Sequence, residues 1–328
     1  MLNKILIIKL GALGDVILAT PHIERIVQMH SDDELHLLTA PAFAPLFSAN
    51  ERLRVTAFPR KGASAMWAAL RWLRKQKFSV VYDLQGSDRS RIMTILSGAG
   101  MRIGLGPALF YSHTPPHDNI NNHVFNRLNS LLHCAGIEDA PPVPRLWLDQ
   151  SEQQQVHTWL KDNSLLQSRL VLIHAGSSDR WPSKRWEKKH FAQLAAMLSE
   201  RGCTILWIGG PDEERLNTRL AEQVGLNLAG RFSIPQLAVL AKHAGFAVVN
   251  DSGPMHVLST AGIAVYAFFG PTNWRRSHAI GQDQRVLTNP VPCSPCHLNN
   301  CPEDKGHRCL REITPADVLA RLEQDGLV

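Results

Sequence analysis

The chain has no apolar run near the ~20 residues that a bilayer span requires. Nor does it open with a signal-peptide pattern, because the apolar Ile5–Ile8 gives way almost at once to a glycine-containing loop and Asp15. A cytoplasmic protein is the expectation. Cysteine is scarce, six in 328 residues, and four of the six crowd into positions 293–309; that argues against a secreted disulfide scaffold. Nothing resembles a nucleic-acid-binding module, so no nucleic-acid partner is expected. Yet the net charge of +6 does favour a polyanionic partner, an anionic lipid or a phosphorylated substrate. With 44% hydrophobic and 20% charged residues, the composition is that of an ordinary globular protein, long enough for two domains that each bury a core.

The elements alternate. Lys4–Lys9 reads as a central parallel strand, apolar on both faces, and the helix after it reaches Met29. Glu34–Thr39 is strand-like, Ala42–Asn50 helical, Arg54–Ala57 a short strand, Ala63–Gln76 a helix and Ser79–Asp83 a strand. Strand-helix alternation means a doubly wound α/β domain. From Gly104 to Asn126 the pattern loosens into a long loop whose His113, His117 and His123 lack zinc spacing. The three prolines of Ala140–Arg145 stiffen a linker, so domains 1–150 and 151–328 are expected, the second ending in a helix capped by Thr314. Trp67 and Trp72 stand among Arg71, Arg74, Lys75 and Lys77. Such a helix could rest on an anionic membrane surface; the reading preferred here is a solvated basic face with the tryptophans packed inward.

Three stretches carry chemistry. In Asn250–His256 a buried strand meets Asp251 and Ser252, both good helix N-caps, with Gly253 leaving room beside the backbone and His256 adding a donor. A helix start there suits a phosphate, and structural capping alone is the competing account. Leu170–His174 is followed by Ser177, Ser178 and Lys184, hydroxyls and a cation that would suit a diphosphate. Lys9–Asp15 places Gly11, Gly14 and a carboxylate after the first strand; Asp15 is either a dipole-favoured first-turn acid or a general base.

Asp251-Ser-Gly-Pro-Met-His256 with Phe268-Phe-Gly-Pro-Thr272, together with Lys9-Leu-Gly-Ala-Leu-Gly-Asp15, resembles the signatures of the ADP-heptose:lipopolysaccharide heptosyltransferases, glycosyltransferase family 9. The resemblance implies the GT-B architecture, two Rossmann-like domains facing across a cleft. It also implies an inverting transfer of a heptose from an ADP-sugar to a lipopolysaccharide core acceptor, with no cofactor required. Asp15 matches the family's base. Ser177, Ser178 and Lys184 match its diphosphate loop, Lys184 helping the chemical step. Glu213 or Glu214 matches its nucleoside carboxylate, and Phe232 stands where a base would pack. Asp251, Ser252, Gly253 and His256 complete the donor side. Asp83–Gly86 matches the acceptor loop, so Lys9, Gly14, Gln85 and Arg89 are acceptor candidates, with Arg91 and Arg102 as further cations. The resemblance leaves room for an inner-membrane location, and for two rivals: a nucleotide-sugar epimerase on the same architecture, and a non-catalytic metal-clamped assembly protein.

Cys293, Cys296, Cys301 and Cys309 have the spacing C-x2-C-x4-C-x7-C. Four thiolates could hold a structural zinc or iron; a redox-labile disulfide pair and free thiols are the alternatives.

Overall fold

A computed structural model describes residues 3–59 and 62–328. The chain divides into two compact units, Met1–Asp149 and Gln150–Val328.

The first unit carries β1 (Lys4–Ile8), β2 (Glu34–Thr39), β3 (Leu53–Ala57), β4 (Val80–Asp83) and β5 (Met101–Gly104), all parallel, in the order β3-β2-β1-β4-β5. Its helices are α1 (Leu13–Met29), α2 (Ala63–Gln76), α3 (Asp88–Leu96) and α4 (Val124–His133). β1 lies at the centre, and Ile5–Ile8 are wholly buried because helices cover both faces of such a sheet. The expected helix at 42–50 is instead a 3-10 segment, Pro41–Phe47. Pro45 inside it has no N–H to give to an α-helical ladder. The loose stretch before α4 is anchored by Arg127, whose guanidinium holds both oxygens of Asp118 at 2.6 and 2.7 Å. On α2 the two tryptophans part company. Trp72 packs beside His36, Phe58 and Phe78, while Trp67 stays 72% exposed.

The second unit carries β6 (Arg169–His174), β7 (Cys203–Trp207), β8 (Leu226–Asn227), β9 (Ala244–Asn250), β10 (Ala264–Phe268) and β11 (Val286–Leu287), again parallel, in the order β11-β10-β9-β6-β7-β8. Counted from the first strand of this unit, the order is 3-2-1-4-5-6, that of a dinucleotide-binding sheet. Its helices are α5 (Gln150–Asp162), α6 (Lys188–Glu200), α7 (Glu214–Ala221), α8 (Ile234–Ala241), α9 (Gly253–Ser259), α10 (Trp274–Ser277), α11 (Arg308–Arg311) and α12 (Pro315–Gln324). Trp186 anchors its core: the indole stacks on Phe268 at 4.3 Å and donates to the Ile313 carbonyl at 2.9 Å. Both units are doubly wound α/β sheets, as the alternation of elements predicted. Among the described residues no helix is long and apolar enough to cross a membrane.

His22 on α1 is fully buried, its Nε2 3.1 Å from the Phe125 carbonyl and its ring edge-on to Phe125. Burial pushes its pKa from 6.5 down to about 4. The unfolded chain therefore takes up this proton before the folded one does, and the stability present above pH 6.5 is lost as pH falls towards 4. We expect acidification across that window to cost the first unit about 3 kcal/mol through this group. Urea titrations at several pH values should show the loss, reduced in His22→Gln.

Candidate functional site

In open parallel sheets a ligand crevice forms beyond the carboxyl ends of the strands, where the strand order reverses. In the second unit that point lies between β6 and β9. The side-chain amide of Asn250, at the end of β9, is fully buried there. Its Oδ1 accepts from the Trp186 N–H at 2.9 Å, and its Nδ2 donates to the carbonyls of Ala175 and Gly176 at 3.0 Å each. One amide thus fixes the end of β9, the loop after β6 and the turn that carries Lys184.

Lys184 closes the 3-10 turn Pro182–Lys184, with its ammonium 2.8 Å from Asp251 Oδ2 and 5.2 Å from the centre of the Trp181 ring. Asp251 also accepts from the Thr272 hydroxyl at 2.6 Å. An ammonium has three donors, so the pairing with Asp251 orients Lys184 without exhausting it. Asp251 and Ser252 are not the helix caps expected of them. Asp251 is spent on Lys184 and Thr272, and Ser252, at the N-cap of α9, makes no side-chain cap bond. Its hydroxyl lies 3.1 Å from His174 Nδ1 and 3.1 Å from the Asn250 carbonyl. Gly253 opens α9, and His256, fourth in that helix, is 6% exposed.

His174 ends β6, and its Nε2 donates to Glu213 Oε2 at 3.0 Å. The same oxygen accepts from the Gly210 N–H at 2.9 Å. Burial acts against the Glu213 charge. The hydrogen bond and charge of His174, the Gly210 N–H and the charge of Arg185 outweigh it and hold the carboxyl below its ordinary range. The carboxylate fits only because two bare backbones face it: a Cβ at Gly176 would fall 1.4 Å from Oε1, and one at Gly209 2.4 Å from Oε2.

Ser177 shapes the loop, donating to the Trp181 carbonyl at 3.0 Å and accepting from Arg185 Nε at 3.1 Å. Ser178 is exposed. Glu214 parts from Glu213. It lines a cavity of about 640 Å³ together with Phe232, Trp159 and Asn227. There Phe232 meets Trp159 edge-on at 5.1 Å, and the Arg231 guanidinium lies 5.2 Å over the Trp159 ring.

In the first unit the strand order reverses between β1 and β4. Gln85, just after β4, accepts at Oε1 from the N–H groups of Leu10 and Gly11 at 2.9 and 3.0 Å. Gly11 has φ +128°, a conformation that requires glycine. Lys9 is 3% exposed and donates to the Leu84 carbonyl at 2.9 Å; burial lowers its pKa, against the carboxylates of Asp15 and Asp83. Lys9 and Gln85, expected as acceptor contacts, thus have these groups engaged in shaping the loop. Asp83 is 1% exposed, accepting the Tyr111 hydroxyl at 2.7 Å and the N–H groups of Gln85 and Gly86 at 3.0 Å each. Asp15 is the third residue of α1, half-exposed, and accepts from the Ala12 N–H at 3.3 Å. Gly14 precedes it. Arg89 donates to the Pro59 carbonyl at 3.2 Å, Arg91 pairs with Asp88, and Arg102 is turned onto the carbonyls of Phe110 and Ala99.

Cys293, Cys296, Cys301 and Cys309 line one cavity of about 70 Å³, so the spacing did foretell that they meet. Among the described residues no three His, Cys, Asp or Glu side chains are grouped so that they could hold a metal ion. Burial, and the negative charge of the other three sulfurs, push the Cys309 thiol up to about 11. All six cysteines are free.

His174, Asn250 and Arg185 are further residues of this site, and no motif in the sequence singles them out. The one local signal was position, a polar residue ending an apolar strand, for the first two.

A family model described as glycosyltransferase family 9 (heptosyltransferase) matches residues 66–307. Lipopolysaccharide heptosyltransferase 1 of Pseudomonas aeruginosa is 24% identical over 355 residues, covering 98% of this chain and 97% of the relative. Among solved structures, a family 9 glycosyltransferase from Veillonella parvula superposes with a TM-score of 0.83 at 20% identity, over 98% of this chain and 96% of that one. Escherichia coli ADP-heptose lipopolysaccharide heptosyltransferase II gives a TM-score of 0.78 at 22% identity, over 99% and 98%. The fold is therefore the GT-B type.

The Gly176→Ala substitution would drive the Glu213 carboxylate out of its seat. We expect a loss of about 1–3 kcal/mol from the stranded His174 donor, read by thermal unfolding. A crystal structure of the variant should show the His174–Glu213 contact broken.

Proposed function

Because the chain belongs to glycosyltransferase family 9 (heptosyltransferase), we propose that it transfers a heptose from ADP-heptose to a lipopolysaccharide core acceptor with inversion. The observation that carries this reading is the Lys184–Asp251 pair, at 2.8 Å, standing where the strand order of the second unit reverses. On this reading the second unit holds the donor. Lys184 and the hydroxyls of Ser178 and Ser252 meet the diphosphate, with Ser177, Gly253 and His256 shaping its surroundings. Glu213 faces the ribose, and the cavity of Phe232 and Glu214 offers an aromatic wall to the base.

The first unit supplies the base. The acceptor hydroxyl forms its bond to the anomeric carbon as the bond to the diphosphate breaks, and Asp15 takes the hydroxyl proton. A carboxylate suffices because that oxygen grows acidic as its bond forms. The charge released onto the diphosphate falls on Lys184, and this reading calls for no divalent cation. Gly14 and Arg89 are the acceptor-side contacts, on a loop held by Lys9 and Gln85.

An anionic inner-membrane surface fits α2. The helix contains no acidic residue, exposes Trp67, and adds Arg71, Arg74 and Lys75. Indole and basic side chains together are what a helix lying in a headgroup layer uses.

Asp15→Ala should lower transfer by roughly 10²–10⁴-fold while ADP affinity, read by calorimetry, stays within about twofold. Lys184→Ala should weaken ADP binding by about tenfold or more. Mass spectrometry of products from a panel of nucleotide sugars identifies the donor. Transfer by Asp15→Ala at a near wild-type rate would overturn the base. For the membrane, the triple variant Trp67→Ser, Arg71→Glu, Lys75→Glu should lose co-sedimentation with anionic vesicles; retention at the wild-type level counts against α2.

A further inference from the structure

His174 is 3% exposed, yet both ring nitrogens are engaged, Nε2 with Glu213 at 3.0 Å and Nδ1 with the Ser252 hydroxyl at 3.1 Å. No capping or packing role requires this. Ser252, at the N-cap of α9, makes no side-chain cap bond. The ring joins two turns far apart in sequence, the one that opens α7 and the one that opens α9.

The protons on this chain of groups can be assigned. Glu213 is an ionised carboxylate and accepts only, so Nε2 carries a hydrogen in either charge state of the ring. In the neutral imidazole Nδ1 is then a bare lone pair, and the Ser252 hydroxyl, 3.1 Å away, is its donor. The serine proton points at the ring, and the serine lone pairs point elsewhere. In the imidazolium, Nδ1 donates to Ser252, and the serine O–H turns to donate its hydrogen bond elsewhere. Without a ligand that hydrogen bond goes to the Asn250 carbonyl, 3.1 Å away. An anionic oxygen nearby takes it in preference, because charge-assisted hydrogen bonds are the stronger ones.

We propose that His174 is a positioning residue that sets donor affinity by aiming the Ser252 proton, at the ring when the imidazole is neutral and at a diphosphate oxygen when it is protonated. The inference rests on the donor reading of the second unit. The charged and titratable groups around the ring come from every neighbouring loop. Glu213 lies before α7, the Lys184–Asp251 pair spans the turn before α6 and the start of α9, and Arg185, from that turn, acts on Glu213. His256 stands on α9 itself. A protonated ring also adds a positive charge between the carboxylate and an anionic ligand, which acts in the same direction as the hydroxyl.

The test is ADP binding to the full-length protein by calorimetry between about pH 5.5 and about pH 8. The wild-type dissociation constant should rise about tenfold more across that range than the constant of His174→Gln, whose amide can donate to Glu213 and does not titrate. The phosphate ionisation of ADP is common to both proteins and cancels in the ratio. Ser252→Ala should show the flat profile of His174→Gln. As a readout that needs no variant, saturating ADP should move the imidazole titration of His174, followed by nitrogen-15 NMR, to higher pH, since linkage is reciprocal. Equal pH slopes in wild type and His174→Gln, or an NMR midpoint that ADP leaves in place, would overturn the proposal and leave the donor reading standing. Absence of ADP binding to wild type at every pH would sink the donor reading and this inference with it.

Discussion

The side-chain amide of Asn250 is closed off from solvent and makes three hydrogen bonds, all to backbone that belongs to no regular element. A buried amide left half-satisfied is costly, by about 1–3 kcal/mol per orphaned group. The loop after β6 and the Trp186 turn therefore have little freedom to drift from it. Lys184 sits two residues from one of these bonds and Ser177 one residue from another. Asp251 and Ser252 follow Asn250 directly. Lys184, Ser177, Asp251 and Ser252, the polar groups of the proposed donor site, are thus placed from one point inside the protein, which is how a preorganised site keeps its geometry before any ligand arrives.

The first unit solves the same problem with the same chemistry. Its fourth strand is followed by Gln85, whose amide oxygen gathers the Leu10 and Gly11 N–H groups of the loop after the first strand. In the second unit the fourth strand ends in Asn250, which gathers the carbonyls after its first strand. In both, a side-chain amide from one side of the strand-order reversal pins the loop on the other. What differs is polarity. Gln85 receives N–H groups beside the helix start that carries the half-exposed Asp15, whereas Asn250 receives one N–H and binds two carbonyls around a cationic turn.

Much of this was legible in the sequence, for physical reasons. Apolar runs such as Leu170–Ile173 and Phe246–Val249 read as buried strands, and the polar residues that end them mark the crevice. The spacing of the four late cysteines did predict that they share a cavity. What stayed hidden was the choice of hydrogen-bond partner. Asn250 reaches residues 64 to 75 positions away, and Gln85 reaches back 74 to 75, distances over which no local pattern carries information. The same limit explains why the loop bonds of Lys9 and Gln85 were not visible in the sequence, and why Ser252 looked like a side-chain cap. The 3-10 segment at Pro41–Phe47 is a different kind of miss, since Pro45 was there to be read.

The six-stranded sheet is bounded at both margins by strands of only two residues, Leu226–Asn227 and Val286–Leu287. A margin so short exposes too few unpaired amides to recruit a strand from another molecule. The broad central strands, which would otherwise be a strong template for aggregation, are shielded by neighbours that end the ladder on either side. A high protein concentration would then be tolerated at these two sheet edges without a charged or proline-bearing guard strand.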